Sequence, residues 1–134
     1  MKIFPEEGQR RLEMVLVDTS VWIAHFRNNS PELAALLNDG YVACHKAVIG
    51  ELACGNLKNK DEILSLLGAL PMVQEVEDDE LLQFIENFSL MSKGLGYIDM
   101  HLLASAVMEK MPLWTLDKRL DETSRKLGVR YTKG

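Results

Sequence analysis

The sequence predicts an α/β domain, a doubly wound parallel sheet of four to five short strands flanked by helices on both faces. Three observations predict it. Short apolar runs rich in branched residues, such as Val15-Leu16-Val17, read as strands buried on both faces. They alternate with longer stretches of helical periodicity, the order that builds parallel sheets. The length of 134 residues, with 47% hydrophobic and 26% charged residues, suits one globular domain.

Each element follows in turn. Residues 1 to 13 are polar and aperiodic and predict a loosely ordered leader, with Met14 the functional start and residues 14–134 a single domain. Val15-Leu16-Val17 is the first strand. Thr19 and Ser20 open a helix through Phe26. Ser30-Pro31-Glu32 supplies an N-cap and a first-turn proline for a helix over Leu33 to Leu37. Asp39-Gly40 is a turn, and Tyr41-Val42-Ala43 a second strand. A helix from Lys46 to Cys54 closes at Gly55, and another from Asp61 to Leu70 stops at Pro71. Met72 to Val76 reads as a third strand. Asp78-Asp79-Glu80, acids favoured in a first turn, begin a helix extending to about Lys93. Gly94 and Gly96 bracket a break before a helix from Ile98 to Lys110. Pro112 to Leu116 is a strand with Trp114 in the core. Asp121 to Leu127 is a helix stopped by Gly128, and Val129-Arg130-Tyr131 is a last strand.

Charge and cysteine content narrow the function. Asp and Glu number 20 against 15 Lys and Arg, a net charge of -5, which excludes a polycationic coat for nucleic acid. It does not exclude nucleic acid itself, since acids that hold divalent cations count fully in that sum. Cys44 and Cys54 make neither a disulfide framework nor a zinc pattern and read as small buried thiols in a reducing cytoplasm. No apolar signal core appears near the start. The greasy stretch from Met14 to Phe26 is interrupted by Asp18 and His25 and is too short to span a membrane.

Most acids have plain structural uses in first turns and loops. Four do not. Asp18 ends the first strand and Asp117 ends Leu113-Trp114-Thr115-Leu116, both at the carboxyl mouth where α/β sheets bind ligands. Each can also cap a helix. Glu51 has Ala47, Val48 and Leu52 around it, an apolar face. Asp99 has Leu102, Leu103 and Ala106 at i+3, i+4 and i+7 and points to the core side. Carboxylates about 5 Å apart repel by about 3 kcal/mol per pair at an effective dielectric near 20, so four together call for cations. Oxygen-only ligands favour Mg²⁺ or Mn²⁺.

The segments V-L-V-D-T-S-V-W-I around Asp18, E-L-A-C-G from Glu51, G-Y-I-D-M-H-L-L-A-S-A around Asp99 and L-W-T-L-D-K-R-L around Asp117 resemble those of the PIN-domain nucleases, specifically the VapC toxins of toxin–antitoxin pairs. The resemblance runs from Met14 to about Thr132 and implies the family's doubly wound fold. It implies a Mg²⁺- or Mn²⁺-dependent endoribonuclease, with Asp18 and Asp99 as principal metal ligands and Glu51 and Asp117 as the remaining acidic positions. Ser20 and Thr115 match hydroxyl residues that orient water or a carboxylate. It also implies a homodimer, held inactive by a VapB-like antitoxin. The expected products are a 5′-phosphate and a 3′-hydroxyl.

Several readings stand beside this one. Some relatives carry an additional acid past the fourth, and Asp121 is the nearby candidate, although capping the last helix is the favoured reading of it. Arg27, Lys46, Lys118 and Arg119 lie near the acidic motifs and can meet phosphates. Val21, Trp22, Ile23 and Phe26, with Leu33, Leu36 and Leu37, can present an apolar groove to the antitoxin. Metal-free acid–base cleavage by His25, His45 and His101 is a second enzyme reading, with no spacing that makes two of them converge. A catalytically inactive PIN module that only binds a protein or RNA is the non-enzymatic alternative.

Overall fold

Val15–Val17 forms the central strand, β1, because all three side chains are apolar, branched at Cβ or Cγ, and buried. The structure, a computed structural model, describes residues 13–133. The expected leader therefore lies outside the described residues except for Glu13, an exposed turn residue. Parallel strands flank β1 on both sides. Val15 and Leu16 register with Val42 and Ala43 of β2 (Val42–Ala43), and Leu16 and Val17 with Leu113 and Trp114 of β3 (Leu113–Trp114). The strand order is β2-β1-β3.

The described sheet thus has three strands rather than the four to five expected. The two missing strands survive as single parallel bridges, Cys44 to Met72 and Leu113 to Arg130. Met72–Val76 and Val129–Tyr131 each touch the sheet at one residue and then leave it, so no ladder propagates.

Seven helices fill the connections among the described residues. They are α1 (Thr19–Asn28), α2 (Pro31–Asn38), α3 (Lys46–Cys54), α4 (Lys60–Gly68), α5 (Asp78–Asn87), α6 (Tyr97–Glu109) and α7 (Lys118–Lys126). Ser30 caps α2 as expected, its hydroxyl accepting the Leu33 N–H at 3.2 Å. His45 caps α3, with Nδ1 accepting the Ala47 N–H at 2.9 Å. Chain order reverses about β1, and right-handed crossovers therefore send the two connections to opposite faces of the sheet. The crevice left at that reversal opens at the carboxyl ends of β1 and β3.

Four local expectations are corrected. Helix α5 ends at Asn87, not near Lys93, because Ser89, Ser92 and Gly94 all adopt left-handed backbone and the turn drives Leu90 into the core at 3% exposure. Helix α7 starts at Lys118, not Asp121, because Asp117 supplies its cap. Trp114 is half-buried against Tyr131, with ring centroids 5.1 Å apart, rather than in the core. The two cysteines are free as expected, but only Cys44 is buried, and burial pushes its thiol up to about 11. Cys54 is exposed.

Candidate active site

Asp18 follows β1 directly, so the strand delivers it to the crevice at 6% exposure. A carboxylate this enclosed needs donors. Three contacts reach the same oxygen, Oδ2. The Ser20 hydroxyl donates at 2.6 Å, the Thr115 hydroxyl at 2.7 Å, and the Ser20 N–H at 3.4 Å in the helix-cap geometry. Thr115 comes from the far end of the chain, carried there by β3. Its hydroxyl lies 3.3 Å from that of Ser20.

The direction of this network is fixed. A backbone N–H can only donate. The Leu116 N–H donates to Ser20 Oγ at 3.0 Å, and the Asp117 N–H donates to Thr115 Oγ1 at 3.0 Å. Both hydroxyls therefore accept from the loop after β3 and spend their own protons on Asp18. The loop, the two hydroxyls and the carboxylate form one directed relay that sets the orientation of Asp18. Charge-assisted hydrogen bonds of this type are the strong ones.

Asp117 is exposed and turned towards α7, where Oδ1 accepts the Leu120 N–H at 3.0 Å. Asp18 and Asp117 thus both cap helices, and both are candidate site carboxylates. Asp99 sits in the first turn of α6, half-buried, with Oδ2 accepting the Gly96 N–H at 2.9 Å. Burial raises its carboxyl above the usual carboxylate range. The Gly96 N–H works against that, and the charges of Asp18 and Asp117 push it up further. Three of the four sequence-selected acids therefore share one electrostatic field.

Glu51 departs from expectation. Its side chain is exposed, not turned to the core. The apolar neighbours belong to the adjoining face of α3, where Val48 and Leu52 are buried. Glu51 is still tied to the same corner, because the buried Thr19 hydroxyl donates to Oε1 at 2.6 Å. Sequence reasoning missed Thr19; the available signal was a second hydroxyl directly after Asp18. Asp121 is neither the cap of α7 nor a member of this group. It lies within the helix and pairs with Arg130 at 3.1 Å.

The basic residues near the motifs divide. Lys46 faces Glu75 at 3.8 Å, Arg27 lines a cleft of about 730 Å³ together with Glu51, and Lys118 and Arg119 line a different cavity. His45 and His101 do converge, contrary to expectation, with ring centroids 6.0 Å apart. His45 is only 1% exposed, however, and burial lowers its pKa. A ring so enclosed meets no substrate, so His45 cannot serve the metal-free acid–base reading.

Among the described residues, no lysine or arginine forms an ion pair with Asp18, Glu51, Asp99 or Asp117. Nor do three His, Cys, Asp or Glu side chains stand close enough there to make a ready-made metal cage. The donor set nonetheless fits a hard divalent cation. It is all oxygen, it shares an unfavourable field at Asp99, and Asp18 is already oriented.

That field has a thermodynamic consequence. A carboxyl whose folded pKa is raised binds its proton more tightly in the folded chain than unfolded, so its contribution to stability falls as pH rises through the folded value. In chelator, the stability of the wild-type chain relative to Asp99→Asn should therefore decline as pH rises above the ordinary Asp range. The melting temperature gained with Mg²⁺ should grow over the same interval. Thermal melts of both proteins across that range check this, and a difference flat in pH contradicts it.

A family model described as the PIN domain matches residues 15–126. Two similar relatives are the proteins named Ribonuclease VapC32 from Mycobacterium tuberculosis strains CDC 1551 / Oshkosh and ATCC 25618 / H37Rv. Each is 44% identical over 117 residues, covering 87% of this chain and 94% of the relative.

Proposed function

Because the chain belongs to the PIN-domain family, and within it to the VapC ribonucleases, we propose that it is a divalent-metal-dependent endoribonuclease acting as the toxin of a VapBC-type pair. The observation that carries the reading is the shared field of Asp18, Asp99 and Asp117 with no basic partner among the described residues. Asp18 and Asp99 would hold the ion, with Asp117 and Glu51 completing the set. When bound, Mg²⁺ or Mn²⁺ supplies Lewis acidity to the phosphoryl oxygens and lowers the pKa of water.

The chain's own residues do the positioning. Ser20 and Thr115 hold Asp18 Oδ2, leaving Oδ1 outside their network. The Gly96 N–H holds one oxygen of Asp99. Thr19 steers Glu51 towards the corner. Lys118 and Arg119, directly after Asp117, offer charge to the phosphodiester that must approach an acidic site.

Purified protein freed of any partner should cleave total RNA with Mg²⁺ or Mn²⁺ and leave 5′-phosphate and 3′-hydroxyl ends. Cleavage undiminished in excess chelator overturns the metal-dependent reading. No observation favours the inactive module, and the chain carries all four acids the nuclease reading uses.

A VapB-like antitoxin has a fitting surface. Trp22, His25, Phe26, Leu37, Ile63, Leu66, Leu67 and Leu70 line an apolar groove of about 320 Å³ between α1, α2 and α4. Val21 and Leu33, by contrast, are buried in the core. Leu66 is 64% exposed there. Leu66→Ser should weaken antitoxin binding about tenfold, from the loss of about 1.5 kcal/mol of apolar burial, while leaving RNA cleavage unchanged. Titration calorimetry with a VapB-like antitoxin measures it, and equal affinity removes the groove from the interface. The homodimer implied by the family would use other apolar surface, of which Leu82, Phe88 and Met108 on or beside α5 and α6 are exposed. No helix among the described residues is long and apolar enough to cross a membrane. We assign the protein to the cytoplasm, with its RNA substrate.

A further inference from the structure

Net charge is -5, yet one cavity of about 250 Å³ beside the candidate site gathers four cations, Lys93, Lys118, Arg119 and Lys126. Among the described residues none of the four forms an ion pair. The one acid lining the cavity, Glu122, is engaged by Arg125, whose guanidinium donates to both its oxygens and pulls its pKa down. Like charges on a free surface repel and disperse. Here the fold holds them together.

Two features tie this cavity to the carboxylates. Lys118 and Arg119 follow Asp117 directly, at the start of α7. On the opposite wall, Lys93 and Gly94 belong to the loop that leads to Gly96 and Asp99. The walls meet at Gly94. A Cβ there would stand 2.7 Å from Arg119 Nη1 and 2.9 Å from its Cδ, and Gly94 adopts φ +77°, which disfavours other residues. The absent side chain lets the Arg119 guanidinium lie against the loop. Its position is thereby set before any ligand arrives, which lowers the ordering cost of binding.

We propose that this cleft is a phosphate track for single-stranded RNA, with Lys93 and Lys126 extending the contact beyond the scissile phosphate. The inference rests on the nuclease reading and deepens it. Lys118 to Lys126 covers about 12 Å of helix axis at 1.5 Å per residue, enough for more than one backbone phosphate. The cavity offers cations and no exposed aromatic ring, so it holds backbone and carries no base recognition of its own.

The test is salt-dependent binding of a fluorescein-labelled, mixed-sequence single-stranded RNA to the full chain, read by anisotropy in an Asp99→Asn background that prevents turnover. Each phosphate contact contributes about 0.7 to the slope of log K against log salt for single strands, so Lys93→Ala with Lys126→Ala should flatten it by about 1.4. Lys110→Asn, before β3 at the opposite end of the sheet, should leave it unchanged. A slope unaltered in the double variant overturns the track. If wild-type protein then still cleaves RNA only with Mg²⁺ or Mn²⁺, the nuclease reading stands without it. RNA neither bound nor cut by any form overturns both.

Discussion

Asp18→Asn should slow RNA cleavage about a thousandfold, while the chain remains folded. A metal contribution of about 4 kcal/mol to the transition state corresponds to roughly that factor, at about 1.4 kcal/mol per tenfold. Asn keeps an acceptor for the cap of α1 and for the Ser20 and Thr115 hydroxyls, but it loses the charge that an ion needs. Near-normal circular dichroism and melting temperature should accompany the lost activity. Cleavage within tenfold of wild type would falsify the assignment of Asp18. Asp99→Asn should behave alike.

The second large effect belongs to the relay. Ser20→Ala combined with Thr115→Val removes both hydroxyl donors to Asp18 Oδ2 and leaves the Leu116 and Asp117 N–H groups without their acceptors. Groups that orient metal ligands typically matter tenfold to a hundredfold. We expect the Mg²⁺ concentration for half-maximal rate to rise by that factor, with much of the rate recovered at saturating ion. A merely structural role lowers melting temperature without moving that midpoint. An unmoved midpoint therefore assigns the hydroxyls to packing alone.

Much of this was legible in the residues. The strand–Asp pattern placed Asp18 and Asp117 at the carboxyl mouths of β1 and β3, because a short apolar run followed by an acid has few other meanings in a parallel sheet. Ser30-Pro31 marked its helix correctly, since both residues act locally. What escaped depended on distant chain. Whether Met72 and Arg130 start ladders or single bridges is decided by their sheet neighbours. The end of α5 is set by the pull of Leu90 into the core, which its own periodicity does not reveal. Glu51 was misplaced because its apolar neighbours are on the adjacent face of the same turn. Thr19 acquires its purpose only once α1 and α3 pack together. Lys93 and Lys126 carry no signal of their own in the sequence, being 33 residues apart by their numbers and brought together only by the fold.

The bond from Thr115 to Asp18 joins positions 97 residues apart, and β3 enters the sheet only after most of the chain has been made. A polypeptide still emerging from the ribosome lacks that strand, the relay and Asp117 together. It therefore cannot yet orient its first carboxylate. The arrangement of Asp18 is thus completed only when β3 has joined the sheet.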